Sequence, residues 1–225
     1  KGEAYITLGH VLHLLEDMSV PDHTRNDAHP SVIGKDFGSP YEDYTRKWNR
    51  NNISGEGFLE KLKRDNATPP QFNSIEEYLE SMAQYSNKYF FSKDTINEEN
   101  YSLKVDESFC DVDFCYDTDE KGDKFPLVMV DFIKTESNNK IIRTYSIKDK
   151  REYHPILNAY FSRLAPKAVL YGAGVIELFQ RKAAEQVEFA DILSLSKGLV
   201  QVEKGSFVDK FFRQVGASFS PGGEV

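Results

Sequence analysis

The stretch "LGHVLHLLEDMSVPDHTRNDAHP", residues 8–30, holds four of the five histidines of the chain: His10, His13, His23 and His29. They alternate with leucines and with Asp17, Asp22 and Asp27. At ~100° per residue, His10, His13 and Asp17 fall within about 60° of one another on a helix. Leu8, Val11, Leu12, Leu15 and Met18 cover a broad arc opposite them. The pattern predicts a largely buried helix whose histidine–aspartate stripe points inward. A buried carboxylate is costly unless it is paired or bound to metal. Pro21 then turns the chain and brings His23 back to the same helix end, giving the spacing H-x-x-x-D-x-x-x-P-x-H from His13 to His23. Neutral imidazole together with carboxylate suits Zn²⁺. A lone interior histidine is more often a hydrogen-bonded core residue, but two in register with an aspartate favour a metal site. His13, Asp17 and His23 are the leading candidates, followed by His29.

Working outward, residues 3–18 read as the first helix, and a loop rich in Asp, Asn, His and Gly runs to about residue 39. "SPYEDYTRKWNRN" starts a second helix, with Ser39 as N-cap, Pro40 at the first helical position and Glu42 at the third. "SIEEYLESMAQYSNKYFF", 74–91, is amphipathic, with Ile75, Tyr78, Leu79, Met82, Tyr85 and Tyr89 on one stripe and a capping box of Ser74 and Glu77. From 101 to 149 the pattern becomes strand-like in "YSLKVDESFCDVDFCYD", "KFPLVMVDFIKTE" and "KIIRTYSIKD", with hairpin turns at "TDEKGD" and "ESNNK". Helix returns over 153–186, with a break expected at Pro166. Residues 187–225 are weakly patterned and read as a tail or the start of a following module.

The chain has 225 residues, 40% hydrophobic and 28% charged, with net charge −8. That is globular composition without the basic footprint of a duplex-DNA binder. No run of 18 or more apolar residues is present, so no transmembrane helix is expected. The opening "KGEAYITLGH" is not a signal peptide. It reads as a helix already under way, which suggests a piece of a longer chain or one lacking its export signal. Cys110 and Cys115, in "CDVDFC", either close a small disulfide loop or stand as two thiols on a strand pair.

"LGHVLHLLEDMSVPDHTRND" resembles the metal-binding helix and loop of the zinc-dependent bacterial phospholipases C, whose fold the fungal single-strand nucleases share. "SPYEDY", "YFFSKDTI" (89–96) and "APKAVLYGAGVIELF" (165–179) are similar to later segments of that family. The resemblance implies a mainly α fold: a helical phospholipase C/nuclease-like domain over 1–186, with 101–149 as a small antiparallel β insertion. It also implies up to three Zn²⁺ ions. His13 and Asp17 would serve a close zinc pair that Asp17 bridges. His23 would serve a third ion, completed by the late carboxylate Glu42. His10 is a candidate contact either to another ligand's side chain or to substrate phosphate. Two features depart from the family pattern. Gly38 stands four residues before Glu42, where the family has a ligand, and His29 is the substitute. The upstream ligands of the zinc pair are also missing from the chain.

The implied activity is zinc-dependent phosphodiester hydrolysis, on a phospholipid head group or single-stranded nucleic acid, in an exported protein. Contact with a membrane surface is allowed by the same resemblance. The acidic charge leans towards the lipid. The rival from another class is a non-catalytic exported protein, a metal-stabilised helical scaffold with the β element as its binding surface; the missing upstream ligands favour it. Other motifs carry less. "YGAGVIE", 171–177, lacks a preceding strand, so Ala168, Gly172 and Gly174 are expected to let another helix approach. "CDVDFCYDTDEKGD" lacks EF-hand spacing and reads as a solvated hairpin. His154 reads as an exposed connector residue. Tyr41, Tyr44 and Trp48 read as core or as a wall of the cleft.

Overall fold

The computed structural model describes residues 2–28, 38–47, 62, 66–134, 140–148 and 153–186. Helix α1 spans Gly2–Asp17, α2 Pro21–Thr24, α3 Pro40–Lys47, α4 Ile75–Tyr89 and α5 Pro155–Gln186. A 3-10 turn at Glu107–Phe109 precedes strands β1 (Phe114–Thr118), β2 (Lys124–Lys134) and β3 (Ile141–Ser146). The strands form one antiparallel sheet in the order β1-β2-β3.

Helix α5 is the spine, and α1, α3, α4 and β2 all pack on it. It runs through Pro166 without a break. The missing N–H and ring clash of an interior proline cost about 3 kcal/mol. Packing on both sides of Pro166, through Tyr160, Leu164, Tyr171, Val175 and Leu178, overrides that cost.

The mainly α expectation is corrected by the sheet. Cys115, Phe125, Leu127, Val128 and Val130 are buried in one core with Met82, Phe90, Tyr160 and Leu164 from the helical part. The Phe90 ring lies 4.8 Å from Tyr160 and 5.7 Å from Phe125, centroid to centroid. The Tyr160 hydroxyl donates to Leu127 O at 2.8 Å and accepts from Phe91 N at 3.2 Å. Burial pushes the pKa of this hydroxyl up, so it stays a neutral donor. Helix and sheet thus share one interior, and the architecture is mixed α/β. Alternation in the sequence suggests that a strand has one apolar face; it does not show what that face packs against.

A register irregularity explains how β2 buries so much. Cys115 pairs with Val128 and Tyr116 with Pro126, leaving Leu127 as an extra residue. The bulge lets adjacent Leu127 and Val128 both turn inward, at 1% and 0% exposure. It also places Pro126, which has no N–H to give, where the ladder is already interrupted.

The expected first strand shortens to β1, and residues 101–113 form a loop with the 3-10 turn. Cys110 and Cys115 are disulfide-bonded, which settles the alternative left open by their spacing. The "TDEKGD" turn is present: Gly122, at φ +83°, donates to Asp119 O. Its acidic groups are neutralised from α5 rather than simply solvated. Arg163 Nε lies 2.9 Å from Asp119 Oδ2, and Lys167 Nζ lies 2.7 Å from Glu120 Oε1.

Helix α4 opens with the expected Ser74 cap, although Glu77 reaches back to Asn73 N rather than to the cap's own amide. It ends at Tyr89, and Phe90 is extended. Gly174 on α5 is the close-approach point. A Cβ there would lie 2.6 Å from Tyr78 Cε1 and 2.7 Å from Pro70 O. Because one neighbour is backbone, Gly174→Ala is expected to cost about 1–3 kcal/mol. Urea unfolding would read this as a lower midpoint at unchanged slope.

Candidate metal centre

The site begins where α1 ends. The apolar arc Leu8, Val11, Leu12, Leu15 and Met18 packs on the core, with Leu15 only 1% exposed. The opposite stripe therefore faces outward, contrary to the inward orientation expected from the helical wheel. His10 is exposed, and His13 is 73% exposed at its side chain. Tyr5, Ile6 and Leu14 are also exposed, so this helix is less covered than its apolar content suggested.

At the end of α1 the chain turns into α2, which starts with Pro21 at the first helical position. This turn carries His23 back to Asp17. The Asp17 carboxylate lies between two imidazoles: Oδ2 is 3.9 Å from His13 Nε2, and Oδ1 is 3.6 Å from His23 Nδ1. The other ring nitrogen of His23, Nε2, lies 3.4 Å from Glu42 Oε1 on α3. Asp17, His23 and Glu42 are all half-buried, at 27%, 27% and 34%. Burial pushes the neighbouring Glu16 carboxyl up; His13 opposes the shift and Asp17 adds to it.

The separations have a simple chemical reading. Two donors about 2.0–2.2 Å from one tetrahedral ion sit roughly 3.3–3.6 Å apart. A normal N–H···O bond is about 2.7–3.2 Å. The His23 Nε2–Glu42 Oε1 spacing matches the former. A carboxylate facing the second ring nitrogen, as Asp17 does, is the usual device for orienting a metal-binding imidazole. His23 and Glu42 are donor types that Zn²⁺ takes, and this one pair has the spacing of two ligands of one ion. Among the described residues, no group of three or more His, Cys, Asp or Glu side chains is gathered into a ready-made cage. His29, the expected further ligand, lies outside the described residues, as do Trp48, residues 187–225 and most of the loop after α3.

Three supporting residues escaped the sequence reading as parts of the site. Arg25 is 0% exposed and anchors the His23 turn to the end of α4. Asp22 is buried and bonded to Ser39. Ser39 was legible as a helix cap, but nothing in the sequence connected it to Asp22. His154 is also partly buried rather than exposed, with its ring edge-on to Tyr44 at 5.9 Å. Among the described residues no helix is long and apolar enough to cross a membrane. Comparison with known proteins gives no match to any family model, curated protein or solved structure.

Proposed function

We propose that the protein is a zinc-dependent phosphodiester hydrolase of the phospholipase C/single-strand nuclease type. The observation that carries this reading is the placement of His23, with Glu42 on one ring nitrogen at donor–donor spacing and Asp17 on the other. His23 and Glu42 would hold one ion, with His29 as the further candidate. His13 and Asp17 would serve the zinc pair, Asp17 offering one oxygen towards each imidazole. Bound zinc supplies Lewis-acid polarisation of the phosphate and a water of lowered pKa. The chain's own residues orient that chemistry. Asp17 would fix the ring of His23, and exposed His10, one turn before His13, would contact a phosphate oxygen. Export is supported by the Cys110–Cys115 disulfide. A phospholipid head group is the preferred substrate over single-stranded nucleic acid on the strength of the net charge of −8.

The test begins with metal content after dialysis, measured by emission spectroscopy. The wild type is expected to retain zinc, and a His13→Ala/Asp17→Ala/His23→Ala variant to lose it. Chelator should lower the melting temperature of the wild type only, because metal binds the folded state. Release of chromophore from a phosphocholine ester and from bis(p-nitrophenyl) phosphate, with zinc and with chelator, then separates the substrate classes. Equal zinc content in the triple variant would overturn the assignment. Zinc binding without turnover on any lipid or nucleic-acid diester would leave the scaffold reading.

A further inference from the structure

Two buried polar side chains stand behind the His23–Glu42 pair. Asp22, adjacent to His23, and Ser39, at the start of α3, are each 1% exposed. The Ser39 hydroxyl donates to Asp22 Oδ2 at 2.6 Å. Ser39 Oγ in turn accepts from Glu42 N at 3.2 Å. One hydroxyl thus spends its proton on the neighbour of His23 and a lone pair on the residue that carries the opposing carboxylate. A hydroxyl-to-carboxylate bond this short is among the stronger kinds and is shielded from water here. The α2 turn is held independently on its other side, where Asp27 N donates to Asp22 O and Arg25 N to Pro21 O. The Asp22–Ser39 bond thus joins that turn to the start of α3, beside the His23–Glu42 contact.

We propose that Asp22 and Ser39 are positioning residues that set the separation of His23 Nε2 from Glu42 Oε1, and through it the affinity of the site for a divalent ion. This rests on the metal-site reading above. Groups that hold ligands in place without touching the ion typically change metal affinity 10–100-fold when removed.

The experiment is a competition titration of the whole protein with Zn²⁺ against a chromophoric chelator, well below the melting temperature. His23→Ala should abolish binding at this site. Ser39→Ala should weaken it roughly 10–100-fold. Ser39→Gly should do the same; it also lacks the hydroxyl but is a tolerated helix N-cap, so it serves if alanine compromises folding. Asp22→Ala should weaken binding at least as much as Ser39→Ala, and the double variant should fall short of the sum of the two, because they share one bond. Asp22→Asn keeps a carbonyl acceptor for the hydroxyl and should retain most of the affinity. Tyr160→Phe removes two buried hydrogen bonds in the core and should lower the melting temperature without moving zinc affinity. If His23→Ala binds zinc as the wild type does, the metal-site reading fails. If His23→Ala loses zinc while both Ser39 variants bind normally, the positioning proposal alone fails. It also fails if affinity falls in Tyr160→Phe in parallel with the Ser39 variants, since the effect would then be general loss of stability.

Discussion

Arg25→Met is expected to lower folding stability by roughly 2–6 kcal/mol, about 1–3 kcal/mol for each of two buried carbonyls left without a donor. The Arg25 side chain is fully buried. Its Nε donates to Thr95 Oγ1 at 2.6 Å, Nη1 to Asn87 O at 2.9 Å and Nη2 to Thr95 O at 3.2 Å. Its guanidinium lies 3.9 Å from the Tyr101 ring centroid and 5.0 Å from that of Phe91. Burial works to lower its pKa, and contributions from Tyr101, Tyr160 and Asp27 oppose that shift. Methionine would leave the carbonyls of Asn87 and Thr95 without this donor, each at a cost of about 1–3 kcal/mol if water cannot reach them. Arg25→Lys should recover little, because a single ammonium cannot reproduce the planar fork. Urea unfolding of the three proteins at equal slope is the measurement. A loss below about 1 kcal/mol, the scale of an exposed charge, would show that the network carries no weight. On the proposed metal-site reading, Arg25→Met should also weaken zinc binding, because this side chain ties down the turn that presents His23.

Replacing residues 101–149 by a short Gly/Ser bridge is expected to abolish cooperative unfolding. The deletion removes Cys115, Phe125, Leu127, Val128 and Val130 from the shared core, together with the acceptor of the Tyr160 hydroxyl. Burying one such apolar side chain is worth about 1.5–3 kcal/mol. A handful of them therefore rivals the whole 5–15 kcal/mol by which a domain is typically stable. Circular dichroism through a thermal ramp would show a broad, sloping loss of helix. A sharp transition in the shortened protein would mean that the helical part folds alone, and that the sheet only covers it.

Local patterns were read well where local chemistry decides them. The Ser39 and Ser74 caps are in place, with Glu42 N and Glu77 N bonded to their hydroxyls. Tyr78, Met82 and Tyr85 form the buried stripe of α4. The Gly122 turn closes its hairpin, and Gly174 is the point of close packing. The errors share a cause. On α1 the apolar arc packs on the core, whereas the polar stripe meets a partner only at Asp17 and leaves His10 and His13 exposed. Pro166 reads as a break in the sequence, but α5 continues through it because packing on both sides outweighs the lost hydrogen bond.

The sequence by itself determined the cluster of imidazoles and carboxylate at the end of α1. His13, Asp17, Pro21 and His23 are close along the chain, so helical period and one proline turn suffice to bring Asp17 to both imidazoles. The family resemblance already named Glu42 beside His23; only the tertiary structure decided what holds it there and that the sheet belongs to the core. Both depend on contacts between distant segments: Ser39 with Asp22, and Tyr160 with Leu127 and Phe91. Such pairings are selected by which surfaces can be buried together. No local spacing encodes that, because the partner of a buried group is chosen by the packing of the whole core.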